Sequence, residues 1–184
     1  MSAIEYDPDA ILDFWFAEIT PKQWWIKSDD FDDLIRTRFG RVHKAAQACE
    51  LFAWRQRSDG RLAEIIVLDQ FSRNIYRNHP DAFSSDGMAL ALAQTAIAED
   101  ADRDLPLDRR AFLYMPYMHS ESPAIHQIAL TLFNTPGMEN NFDFEQRHKK
   151  IIDQFGRYPH RNSILGRNST PEEIEFLKTA GSAF

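Results

Sequence analysis

The chain has 184 residues, a length that supports one domain with a sizeable core, and its 14 Phe, 4 Trp and 5 Tyr supply large rings to fill it. A net charge of −7 argues against a nucleic-acid or anionic-membrane surface, because both need a broad basic field. Cys49 is the sole cysteine, which excludes an intramolecular disulfide and a cysteine zinc cluster and fits a reducing compartment.

The opening MSAIEYDPDAILDFWF is acidic, and Asp13 interrupts its short apolar run. It lacks the basic head and long apolar stretch of a secretory signal. No segment approaches the roughly 20 apolar residues of a membrane span, so the expectation is a soluble, cytoplasmic protein. Helical periodicity then dominates. In PDAILDFWFAE, Ile11, Leu12, Trp15 and Phe16 share one face, with Asp7 as N-cap and Pro8 in the first turn. The stretch from Ser28 places Phe31, Leu34, Ile35, Phe39 and Val42 on one stripe. Gly60 begins a further helix carrying Leu62, Ile65, Ile66, Asp69, Phe71 and Arg73, which Pro80 closes.

An alanine-rich helix follows, capped by Ser84, Ser85 or Asp86, and then LPLDRRAFLYMPYMHSES with Pro116 near its end. Ser122 and Pro123 start SPAIHQIALTLFNT, and MENNFDFEQRHKKIIDQF is another amphipathic run. A last short helix opens on a cap, a proline and two glutamates in STPEEIEFLKT. Runs of alternating strand formers are absent, so the fold class is all-α. Short polar loops between helices suggest stacked antiparallel hairpins, and no linker divides the chain, which reads as one domain over 1–184.

One segment stands apart. FGRYPHRNSILGR, residues 155–167, collects three arginines and a histidine among glycines and a proline in an acidic chain. It also echoes an earlier one. LDQFSRNIYRN (68–78) and IDQFGRYPHRN (152–162) share six of eleven residues: Asp69/Asp153, Gln70/Gln154, Phe71/Phe155, Arg73/Arg157, Arg77/Arg161 and Asn78/Asn162. The echo is either a half-to-half duplication or coincidence. On a helix, Asp69, Arg73 and Arg77 share a face, as an ion-pair ladder would. In the second copy Gly156 and Pro159 end the helix, so His160, Arg161, Asn162 and Arg167 project from a loop. Arginines beside Asn and His can clamp an anion through guanidinium forks and neutral donors. The same arginines can instead cap helix ends and tie a loop to the body.

Other chemistry is sparse. His119, Ser120 and Glu121 are consecutive and do not face one another as a nucleophilic triad must. His119 and Glu121 can still face a pocket shared with the arginines. Asp69, His119, Glu121, His148 and His160 lack the compact spacing of a metal site, so no metal and no cofactor is expected. Phosphate loops, dinucleotide fingerprints and nucleophile elbows are absent. The aromatic FWF and Trp24–Trp25 clusters read as core, with an exposed indole as a possible partner contact.

LDFWF, the Trp24–Trp25 pair, LDQFSRNIYR, SDGMALALAQTAI, FLYMPYMHSE and FGRYPHRNSILGR followed by STPEEIEFL together resemble the bacterial domain-of-unknown-function family number 924. The resemblance runs in order from about residue 8 to the end. It implies a tetratricopeptide-like α–α superhelix with degenerate repeats, since no strict repeat period is visible, and it implies no activity. Ser72 departs from the family's usual proline, so a helix kink should be lost there and Arg73 and Asn74 redirected.

The expectation is a helical-repeat-like domain that binds a small anionic ligand or an acidic, carboxylate-bearing peptide. Its pocket groups are Asp69, Gln70, Arg73, Asn74, Arg77, His119, Glu121, Arg157, His160, Arg161, Asn162 and Arg167. Nucleic acid and membrane are not among the expected partners. Two alternatives stand beside it: a hydrolase using His119 or His160 as general acid or base with arginine stabilising negative charge, and a scaffold with no ligand.

Overall fold

The computed structural model describes residues 6–182, and among these every regular element is helical. Two compact units share the chain: Met1–Arg77 with Asp81–Pro116, and Asn78–Pro80 with Tyr117–Phe184.

In the first unit, α1 (Pro8–Asp13) begins as expected, with the Asp7 carboxylate accepting from the Asp9 amide at 2.9 Å. It passes into a π turn at Phe14–Glu18 that turns Phe14 and Trp15 fully into the core. A 3₁₀ turn at Pro21–Trp24 follows, closed by a Thr20–Gln23 capping box. Trp24 donates to the Trp15 carbonyl at 2.9 Å, whereas Trp25 is 61% exposed.

Ser28 caps α2 (Asp29–Gln47), with Asp29, Asp30 and Asp32 at the positive end of the helix dipole. Its apolar stripe buries Phe31, Ile35, Phe39 and Val42, while Leu34 falls off the stripe and is 45% exposed. The next helix is a composite: α3 (Ser58–Ile66), a π turn at Val67–Phe71, and α4 (Ser72–Ile75). It ends well before Pro80, which starts a separate 3₁₀ turn. Ile65, Ile66, Val67, Leu68 and Phe71 are wholly buried, and an apolar run longer than one helix face can hide explains why this segment is enclosed on all sides. Helix α5 (Asp86–Ala98) packs against α3 and buries the small side chains Ala89, Ala93 and Ala96. The boundary between units falls at Pro116, inside α6 (Leu107–Met118).

The second unit is built on α7 (Pro123–Phe133) and α8 (Glu139–Phe155), packed together across a five-residue connection. Gly156 ends α8 in the left-handed region, at φ 70°, where a side chain would be strained. The chain then makes a 3₁₀ turn at Pro159–Arg161 and enters α9 (Pro171–Leu177) through a Thr170–Glu173 capping box. Ile151, Ile152 and Tyr158 form a small core against Phe155 and Phe176.

Helix α3 starts at Ser58, and Gly60 lies inside it for a steric reason. A Cβ there would sit 2.1 Å from the Trp54 carbonyl oxygen, whereas one on Gly40 in α2 would meet nothing within 4 Å. Gly60→Ala should therefore destabilise the protein by about 2 kcal/mol or more through overpacking. Gly40→Ala should stabilise it by roughly 0.5–1 kcal/mol by removing glycine's backbone entropy. Denaturant melts of the two variants check the pair, and equal effects would contradict the packing.

Candidate functional site

Asp69, Gln70, Arg73, Asn74 and Arg77 all lie in the first unit, but the straight helical face drawn through 69, 73 and 77 is interrupted. The π turn shifts the phase at Val67–Phe71, α4 stops at Ile75, and Asn78 adopts φ 62°, so Arg77 leaves the helix. Arg73 keeps its link to buried Asp69, at 3.1 Å between Nη1 and Oδ1, and donates to the Asp69 carbonyl at 2.7 Å. Its fork also closes on Asp86, in the first turn of α5, at 3.0 and 3.1 Å. Arg77 turns instead to Asp32 of α2 through Nε and Nη2, the latter at 2.7 Å, and Asn74 donates to the same carboxylate at 2.8 Å. Gln70 donates to Asp69 at 2.6 Å.

At Ser72 the hydroxyl donates to the Leu68 carbonyl at 2.6 Å, so at 2.7 Å from His43 Nε2 it accepts. The proton of neutral His43 therefore sits on Nε2, and its buried Nδ1 has no hydrogen-bond partner. Burial pushes the His43 imidazole down to about 4. A π turn at Val67–Phe71 directly precedes Ser72, so the helix is irregular just before it.

His119, Glu121, Arg157, His160, Arg161, Asn162 and Arg167 all lie in the second unit. Arg157 closes on Glu173 through Nε at 2.6 Å and Nη2 at 2.8 Å, and Nη2 also donates to the Asn168 carbonyl at 2.9 Å. Asn162 Nδ2 reaches Glu173 at 3.1 Å and Ser169 at 3.0 Å, while its Oδ1 accepts from Arg167 Nε at 3.0 Å. Arg167 forks onto Glu121 at 2.6 and 2.9 Å, and the Tyr158 amide donates to the same carboxylate at 2.8 Å. Arg161 donates to the His119 carbonyl at 3.0 Å and lies 4.6 Å above the Tyr158 ring. Glu121, Arg157, Asn162 and Arg167 are thus linked by hydrogen bonds through Glu173 and Tyr158, while Arg161 and His160 pack against the Tyr158 ring, the latter with centroids 5.5 Å apart.

Two carboxylates respond to these contacts. The Arg157 hydrogen bonds pull Glu173 down to about 2. Burial raises the Glu121 carboxyl, but the Arg167 fork and the Tyr158 amide outweigh it and leave the group below its ordinary range.

A second polar cluster escaped sequence reading. His126 and Glu145, both fully buried, meet at 2.7 Å between Nδ1 and Oε1. His126 Nε2 lies 2.8 Å from the Ser120 carbonyl and 3.2 Å from the Tyr158 hydroxyl, which itself donates to the Met118 carbonyl at 2.6 Å. A carbonyl only accepts, so Nε2 carries a proton and the remaining one is shared between Nδ1 and Glu145. Burial pushes the Glu145 carboxyl up despite His126, and its Oε2 has no hydrogen-bond partner. His148, whose Nδ1 donates to the Phe144 carbonyl at 2.8 Å, is driven down to about 3 by burial. Its sequence signal was slight: one histidine in the otherwise apolar and uncharged α7, and Glu145 among the many charged residues of α8. Among the described residues, no group of histidines, cysteines and carboxylates could hold a metal ion, and no helix is long and apolar enough to cross a membrane.

The shifts fix a pH profile. Unfolded histidine titrates near 6.5, so between that pH and 3–4 the unfolded chain binds protons that buried His43 and His148 refuse. Their contribution is complete above pH 6.5 and lost on acidification; that of Glu173 is complete above about 4.5 and lost toward 2. Through these three groups stability should fall below pH 6.5, while the raised Glu145 carboxyl works in the opposite sense, its contribution being lost as pH rises. His43→Gln, which keeps a donor for Ser72 but does not titrate, should reduce the slope between pH 6.5 and 4 by up to about 1.36 kcal/mol per pH unit. An unchanged slope would show that His43 is not held neutral.

No curated protein matches the chain. A solved structure of a protein of unknown function from Agrobacterium tumefaciens is 36% identical, with 93% of this chain and 96% of that one covered and a TM-score of 0.89. The arginine segments, the aromatic N-terminal cluster and the helices that carry them fall within residues 11–181, which match the model of the bacterial proteins of unknown function DUF924, and the chain belongs to that family.

Proposed function

We propose that this protein is a binding scaffold, a tetratricopeptide-like stack of helical hairpins, that takes a small anion or the carboxylate of an acidic peptide on the 155–167 segment. The observation that carries this reading is the cradle around Glu121. A carboxylate is already gripped there by both arms of Arg167 and by the Tyr158 amide, with both side chains one quarter exposed. Paired guanidinium hydrogen bonds plus a backbone donor form a general carboxylate- and phosphate-recognition geometry. Glu121 is then the resident anion that a ligand displaces, with Arg161, Asn162, His119 and His160 around the exchange point. Asp69, Gln70, Arg73, Asn74 and Arg77 serve as framework in the other unit.

One observation favours the ligand-free scaffold as a second reading: Arg73, Arg77, Arg157 and Arg167 each close on a carboxylate of this chain. The hydrolase alternative has less support. Glu121, the acid nearest His119 in sequence, is committed to Arg167 and Tyr158 rather than to a histidine.

Thermal melts in acetate, phosphate or chloride at matched ionic strength separate these readings. Acetate or phosphate should raise Tm beyond chloride, since a ligand at a hundredfold excess over Kd stabilises by about 2.7 kcal/mol. Glu121→Gln should enlarge the gain by weakening the internal competitor, and Arg167→Ala should abolish it. No excess over chloride in either the wild type or Glu121→Gln would leave the arginines as structural ties alone.

A further inference from the structure

Helices α8 and α9 border a groove of about 500 Å³ lined by Gln154, Phe155, Arg157, Thr170, Glu172 and Glu173. That volume lies within the range of about 300–1,000 Å³ common to small-ligand clefts. Its walls are held in place. Arg157 is fixed on Glu173 at 2.6 and 2.8 Å, Thr170 and Glu173 cap each other at 2.7 and 3.2 Å, and Phe155 rests on Phe176 with ring centroids 5.0 Å apart.

Hydrogen-bonding capacity remains on four of the lining side chains. Arg157 uses Nε and Nη2 but not Nη1. Thr170 Oγ1 accepts from the Glu173 amide, and its own proton has no acceptor among the described residues. Gln154 and Glu172 are exposed, and neither side chain makes an internal hydrogen bond or ion pair among those residues. The Thr170 and Glu173 N–H groups are not available to a ligand, because they are already bonded within the capping box.

Charge decides the class of ligand. The Arg157 cation is balanced by Glu173, which leaves the Glu172 carboxylate uncompensated. A simple anion meets net repulsion here, and a simple cation leaves the Arg157 Nη1 and Thr170 donors without an acceptor. A zwitterion answers both. We infer that this groove binds a small zwitterion of the α-amino-acid type, its ammonium on Glu172, its carboxylate on Arg157 Nη1 and the Thr170 hydroxyl, and an apolar side chain against the Phe155 ring. The inference goes beyond the anion cradle at Arg167 and does not depend on it.

Titration of ¹⁵N-labelled protein with L-phenylalanine, followed by amide shifts, tests it. Saturable shifts confined to residues near 154–157 and 170–173 are expected at millimolar concentrations. Glu172→Gln, which removes an exposed charge with no internal partner, should weaken binding at least about fivefold, the scale of a charge-assisted contact. N-acetyl-L-phenylalanine, lacking the ammonium, and L-phenylalaninamide, lacking the carboxylate, should each bind more weakly than the parent. Absence of saturable shifts would overturn the proposal, as would undiminished binding by Glu172→Gln or equal binding of either blocked compound. Acetate alone, which the cradle would take, should not reproduce these shifts, and its doing so would overturn the zwitterion reading.

Discussion

The structure depends on an arginine fork closing on a carboxylate in the first turn of the following helix. Arg73 does this to Asp86 of α5, and Arg157, its counterpart in the sequence echo, does it to Glu173 of α9. The geometry satisfies several requirements together. The acid sits at the positive end of a helix dipole, the guanidinium meets both its oxygens, and irregular chain between two helices is fixed at both ends. Leaving such a carboxylate in place without its arginine would strand a largely buried charge, a far larger penalty than loss of a solvated surface pair.

The wider polar architecture follows the same logic. In the first unit Asp32 gathers Arg77 and Asn74, so the departure of the chain from α4 is tied back to the start of α2. In the second, Asn162 stands between two carboxylate systems, donating to Glu173 and accepting from Arg167, which in turn holds Glu121. Beneath them the His126–Glu145 pair joins α7 to α8. This dyad is sealed from solvent and its Nε2 is occupied by a carbonyl, so its part is to specify the packing of two helices rather than to move protons for a substrate.

Much of this was legible in the sequence because it is local. Helix starts at Asp7, Ser28 and Thr170, the glycine stop at Gly156 and the apolar stripe of α2 all rest on rules that act within a turn or two. Leu34 and Arg77 show where that reach ends. Leu34 sits at the margin of its stripe, and only the neighbouring elements decide that it stays in water. Arg77 was placed by counting 3.6 residues per turn through a segment that contains a π turn, whose extra residue has no composition signature. The acids that Arg73, Arg77, Arg157 and Arg167 meet, Asp86, Asp32, Glu173 and Glu121, are 13 to 46 residues away. Charge alone does not reveal such pairings. Buried His43 and His126 were hidden for the same reason.

These clasps also bear on how the sequence can drift. A lysine offers a single ammonium where Arg157 presents Nε and Nη2 to the two oxygens of Glu173 while also reaching the Asn168 carbonyl, so the usual exchange of one basic residue for another is not neutral there. Loss of the acid alone is no easier, because Thr170, Asn162 and Arg157 all converge on Glu173. Arginine and acid therefore behave as one heritable unit spread over two places in the chain, open to replacement by a well-packed apolar pair but closed to most single steps. Segments that look like independent charged loops are, in mutational terms, twinned.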